Sequence, residues 1–114
     1  MNESILTSIK KLLGVTEDYE HFDADLIIHI NSVFMILMQL GLGPKDGFSI
    51  SDKTAVWSDF LGENVAWLDG TKSYVYMKVR LLFDPPQSGT HMNSMEKLCD
   101  EFEYRLRLEK DFRG

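Results

Sequence analysis

In "HFDADLIIHIN", residues 21–31, two histidines and two aspartates fall within nine residues, and Asp25 and His29 are four apart. Four residues is the spacing that brings two side chains onto one helix face, so His21, Asp25 and His29 could hold a divalent metal for hydrolysis. A zinc site needs three or four converging ligands, however, and His21 precedes the helix that would carry the other two. His91 and Cys99 lie far along the chain. The same residues have a simpler use. Asp23 suits an N-cap, Phe22 and Ile27 then fit a hydrophobic staple, and Asp25 falls in the first turn, where the helix dipole favours negative charge. The stretch reads as the start of a helix, and no metal or catalytic residue is assigned.

The helix that follows must position everything nearby. At 100° per residue, Leu26, Ile30, Val33, Phe34, Leu37 and Leu40 share one broad face. Ile28, Met35 and Met38 point away from it, and Asp25, His29, Ser32 and Gln39 make only a narrow polar strip interrupted by Ile36. A helix this apolar on two sides is central in its domain or packs a second face against another chain. Ile28, Met35 and Met38 are therefore candidate interface residues.

Upstream, Ile5, Ile9, Leu12 and Leu13 follow helical spacing, and Gly14 sits where a left-handed cap would end that helix. Downstream, "GLGPKDGFSISDKTAV", residues 41–56, is too long for a simple turn. Its "GLG" lacks the further glycine and the Lys-Ser/Thr pair of a phosphate-binding loop. Phe48 and Ile50 are either presented by this loop as contact residues or folded back onto the core. Val56, Trp57, Phe60 and Leu61 suit a short helical turn closed by Gly62, with Trp57 and Trp67 expected in the core.

Residues 74–83 are ambiguous. Val75, Met77, Val79, Leu81 and Phe83 alternate with Tyr76, Lys78, Arg80 and Leu82, which read alone favours a strand. A helix there would be capped by Asp69 and ended by Asp84 with Pro85-Pro86, but it places Lys78 near the middle of its apolar face. The last segment is helical: Met95, Leu98, Cys99, Phe102 and Leu106 make its stripe, and Asn93 with Glu96 imitates a capping box. Glu101–Arg105 and Glu103–Arg107 are spaced as i, i+4 pairs. Cys99, on the stripe, reads as a buried, inert thiol. Arg105, Arg107, Lys110 and Arg113 concentrate positive charge near the end.

The 114 residues suit a single domain over 1–114. A net charge of −6 argues against gripping nucleic acid, though not against a wall that DNA passes. One cysteine excludes an intrachain disulfide and fits synthesis in a cytoplasm. The N-terminal segment lacks a basic stretch before its apolar residues, which argues against a secretory leader. The longest apolar run, Val33 to Met38, is six residues, so a soluble protein is expected. No GxSxG, HExxH or CxxC motif occurs, so an enzyme is not expected.

Four stretches, "HFDADLIIHINSVFMILMQLGLGP", "WSDFLG", "KSYVYMKVRLLFDPPQS" and "EFEYRLR", resemble in order, apolar pattern and total length the small head–tail connector proteins of long-tailed bacteriophages, also called head-completion or adaptor proteins. The resemblance runs over roughly residues 3–108. It implies a mainly α fold, a small antiparallel bundle of about four helices with one long loop or a short hairpin. It makes residues 74–83 a helix, against the local reading. It also implies a structural virion protein with no cofactor, made in the host bacterial cytoplasm. Such proteins assemble beneath the portal as a ring of about twelve copies, extend the DNA channel and give the tail or a stopper protein its platform. The implied partners are the protein itself, the portal, a stopper or tail-completion protein, and double-stranded DNA passing without sequence-specific contact. The basic residues Arg105, Arg107, Lys110 and Arg113 are the candidates for portal docking. The alternative is a small cytosolic helical module that binds a phage or host protein.

Overall fold

The computed structural model describes residues 2–113, without the side chains of residue 65 and residues 109–113. Five α-helices appear among them in order: α1 (Ile5–Leu13), α2 (Asp23–Gln39), α3 (Trp57–Leu61), α4 (Leu68–Phe83) and α5 (Gly89–Arg113), with a 3-10 turn (Val65–Trp67) leading into α4. No strand forms among the described residues. The hairpin alternative is therefore replaced by an irregular loop, touched only by an isolated bridge between Ser4 and Val56.

α1 begins at Ser4, whose hydroxyl accepts the Thr7 amide at 3.2 Å. It ends at Gly14, left-handed at φ 82°, as its position predicts. The Val15 and Gly14 amides then reach back to the carbonyls of Lys10 and Lys11 and occupy acceptors that a helix end leaves free. Of the predicted stripe, Ile5 and Ile9 are buried, whereas Leu12 is exposed.

α2 buries Leu26, Ile30, Val33, Phe34 and Leu37, the predicted face, with Leu40 half-buried at its end. Its start differs from the expectation. Phe22 occupies the cap position with no side-chain hydrogen bond, and Asp23 is the first helical residue. Asp23 is drawn elsewhere: its carboxylate lies 2.8 Å from Nζ of Lys10, which is only 2% exposed. The same ammonium donates to the carbonyls of Glu17 and Tyr19 at 2.9 and 2.8 Å. A buried cation needs such partners, and this one ties the α1–α2 connection to both helices.

The "GLG" sequence ends α2. Gly41, at φ 94°, turns the chain, Leu42 folds under it and is buried, and Leu42 N–H bonds the Leu37 carbonyl. Gly43 passes so close to Phe60 that a Cβ would collide with the ring. The loop is then pinned by Asn31. Its amide donates to the Ile50 carbonyl at 2.9 Å and accepts the Ile50 N–H at 2.7 Å.

α4 is a helix of 16 residues, which corrects the strand reading of 74–83 and agrees with the resemblance. Thr71, Tyr74, Val75, Met77 and Val79 are all buried because α4 packs against α1, α2 and α5. A helix covered from several directions shows no single stripe, so its apolar residues fall into a false period of two. α4 stops at Asp84, before the two prolines. α5 starts at Gly89, four residues before the expected cap, so Asn93 lies inside the helix. The Ser88 hydroxyl accepts the His91 amide there at 3.4 Å.

The helices share one core, in which Trp57 is fully buried and its indole N–H donates to Ser8 Oγ at 3.1 Å. Phe34 meets Phe48, Phe60 and Trp57 at ring separations of 5.0, 4.6 and 6.2 Å. The whole measures 39 × 35 × 20 Å, a slab about two helices thick.

Candidate assembly surface

The polar residues of the opening stretch do not converge. His21 is exposed and packs edge-on to Phe22 at 5.0 Å, while His29 is half-buried with its ring 6.4 Å from Phe83. Asp25 is exposed in the first turn of α2. Among the described residues no three His, Cys, Asp or Glu side chains are grouped to hold a metal ion.

Cys99 is buried on the inner face of α5, and burial pushes its thiol up to about 11. A thiol held protonated is a poor nucleophile. Tyr74 is also fully buried; desolvation first, and the Glu103 carboxylate second, push its phenol well above the ordinary range. Glu103 pairs with Lys78 across α4 and α5 at 3.4 Å, rather than with Arg107 as its spacing suggests. This gives Lys78, which the helical reading sets near the middle of the apolar face, a charged partner. The Glu101–Arg105 pair forms. At the N-terminus, hydrogen bonds from Lys72 and Ser8 hold the Glu3 carboxyl below its usual range.

What the fold does present is apolar surface. Ile28 is 63% and Met35 59% exposed, two turns apart on the outer side of α2. Met38 is half-buried beside them. From Leu26 to Leu40 the chain has no Asp, Glu, Lys or Arg, so this outer face carries no charge to favour water. The loop residues sit differently. Phe48 is half-buried between Phe34 and Phe60, and Ile50, 4% exposed, belongs to the core. Ile50 thus leaves the set of surface candidates. Sequence reading misses the reason, since Asn31 gives no sign that it will hold the loop.

Arg105 and Arg107 are exposed on α5, and the side chains of Lys110 and Arg113 lie outside the described ones. A second apolar region opens between α2, α4 and α5, a groove of about 370 Å³ lined by Val33, Ile36, Leu81 and Leu82, with Ser32, Lys78, Glu96 and Asp100 as its polar residues. Leu82 is 55% exposed in it. Leu98, Tyr104 and Leu108 are exposed along α5. Among the described residues no helix is long and apolar enough to cross a membrane.

The two uncovered apolar surfaces are of the kind that mark contacts with other proteins. The chain matches the model of the phage connector protein family over residues 5–113, and it belongs to that family. Its role is accordingly that of a structural connector of a phage, and its place is the virion. No curated protein and no solved structure matches it.

Proposed function

We propose that the protein is a head–tail connector that joins its own copies into a ring beneath the portal, lengthens the DNA channel and offers the tail or a stopper protein its docking platform. The uncharged outer face of α2, with Ile28 and Met35 standing in solvent, carries this reading. A side chain exposed in one copy becomes favourable when a neighbour covers it, by roughly 25 cal/mol per Å² of apolar surface removed from water. Because a ring is built from two different surfaces of each copy, the α2 face need meet only one surface of the neighbour. The residues form one connector domain over 1–114, and the work is done by fit, with no reaction and no cofactor.

The acidic balance suits a conduit. With 18 acidic against 12 basic residues, the ring's net field repels the phosphate backbone, so DNA slides through without being held.

Electron microscopy of particles made by a phage deleted for this gene tests the proposal. DNA-filled heads without tails are expected, restored to infectious particles when the purified protein and free tails are added. Complete, tailed particles in the deletion strain would overturn it.

A further inference from the structure

α5 outruns the helix it packs on. Its 25 residues span about 37 Å and the 16 of α4 about 24 Å. The last side chain that α5 buries among those described is Leu106, and Leu108 beyond it is 41% exposed. Past Leu106 the helix continues to Arg113, and the sequence of this arm, residues 107–113, sets Leu108 and Phe112 at i, i+4 spacing with Arg107, Lys110 and Arg113 among the rest.

The groove between α2, α4 and α5 has the matching character. It is apolar at Val33, Ile36, Leu81 and Leu82; its one basic lining residue, Lys78, is paired with Glu103, while the Glu96 and Asp100 carboxylates are in no ion pair with a described residue. Arm and groove also lie at opposite ends of the α4–α5 pair. α4 and α5 run antiparallel with Gly70 against Phe102. Counted from that contact, Leu82 and Leu108 are separated by about 27 Å along the helices. A copy cannot fill its own groove, yet it can give its arm and receive another at the same time, as a heterologous ring contact requires.

We propose that the arm of α5, residues 107–113, seats in the α2–α4–α5 groove of the next copy, placing Leu108 and Phe112 on its apolar floor and basic side chains toward Glu96 and Asp100. This rests on the ring reading above and adds a second contact to the one made by the outer face of α2. The arm's basic residues then belong to the subunit contact rather than to the portal.

The test is disulfide trapping in the full chain carrying Leu82→Cys and Leu108→Cys, assembled on portal rings of the same phage. Both positions are exposed, so the substitutions leave the core intact, and the buried Cys99 stays out of the reaction. Mild oxidation is expected to give a ladder of covalent multimers on non-reducing gels, whereas either single variant gives no species above a dimer. Rings that form on the portal but stay monomeric on the gel would overturn the arm contact while leaving the ring reading intact. A Leu108→Cys thiol that couples to a cysteine of the portal would do the same. If no copies assemble on the portal at all, the ring reading fails and the arm contact with it. As a second readout, E96K combined with D100K is expected to weaken subunit association about tenfold with unchanged thermal stability; unchanged association would count against the contact.

Discussion

α2 and α5 both pack on α4, and they meet solvent in different ways. α2 has no charged side chain from Leu26 to Leu40 and leaves Ile28 and Met35 uncovered. α5 buries Cys99 and Leu106 and turns Glu101, Arg105 and Arg107 outward, so that its exposed Leu98, Tyr104 and Leu108 stand among charged side chains. A core explains the inner side of each helix equally well. It does not explain the outer side of α2, which gains nothing from exposure, and the proposed ring supplies a neighbour to cover it. In the proposed ring, the contrast separates the inner faces that hold the subunit together from an α2 face left for a neighbour.

The comparison breaks most readily on the inner side. Phe34→Ala removes a ring that touches Phe48, Trp57 and Phe60, and should cost about 3–5 kcal/mol in denaturant unfolding. A loss under about 1 kcal/mol would mean that α2 is not the centre of the core. Asp23→Ala leaves Lys10 buried with only its two carbonyl acceptors and should cost about 1–3 kcal/mol by the same measurement. Were Asp23 only an exposed cap, a Ser substitution would restore full stability, and the account expects that it will not.

How far the sequence reveals this division differs from helix to helix. The inner face of α2 is legible because one stripe at helical spacing meets one core, and Gly14 is legible because a local backbone rule places it. α4 is not, since contact with three helices erases its stripe. Asp23 is misread because its partner, Lys10, stands 13 positions earlier and no local pattern marks that lysine as buried. Ile50 fits either side of the surface until the Asn31 bonds settle it. The outer face of α2 is visible from the start, since missing charge is a property of the sequence itself. Its partner is not visible there, because a heterologous contact depends on where a second patch lies in space.

A titration sharpens the α4–α5 side. Burial raises the Cys99 thiol from 9.0 to about 11, and Tyr74 is raised from its ordinary 10.0. Both groups are neutral when protonated, so the folded state holds their protons more tightly than the unfolded chain does. The contribution of Cys99 is complete below pH 9 and is lost as pH rises through about 11, and that of Tyr74 begins to fall only above its ordinary 10.0. Thermal melts should therefore fall in this window, and the Cys99→Ala protein should lose less across it. Below pH 9, Cys99 should resist alkylating reagents until the protein is unfolded. Rapid labelling of the native protein would place α5 off the core.

The smallest effect on folding carries the most information on function. Ile28→Lys with Met35→Lys, both on the exposed face, should change stability by no more than about 0.5 kcal/mol. A lysine placed on the outer face of α5, at Leu98, should do the same. Only the α2 pair is expected to abolish recovery of infectious particles in complementation. Equal loss from both would erase the contrast between the two helices.

The central claim, that this protein acts by joining its own copies on the portal, is tested most directly by native mass spectrometry of the purified chain mixed with portal rings from the same phage. The account predicts mass added as one full symmetric set, about twelve copies, with no partial series at saturation and no addition for the Ile28→Lys, Met35→Lys protein. A well-formed portal that takes up no copies would contradict it.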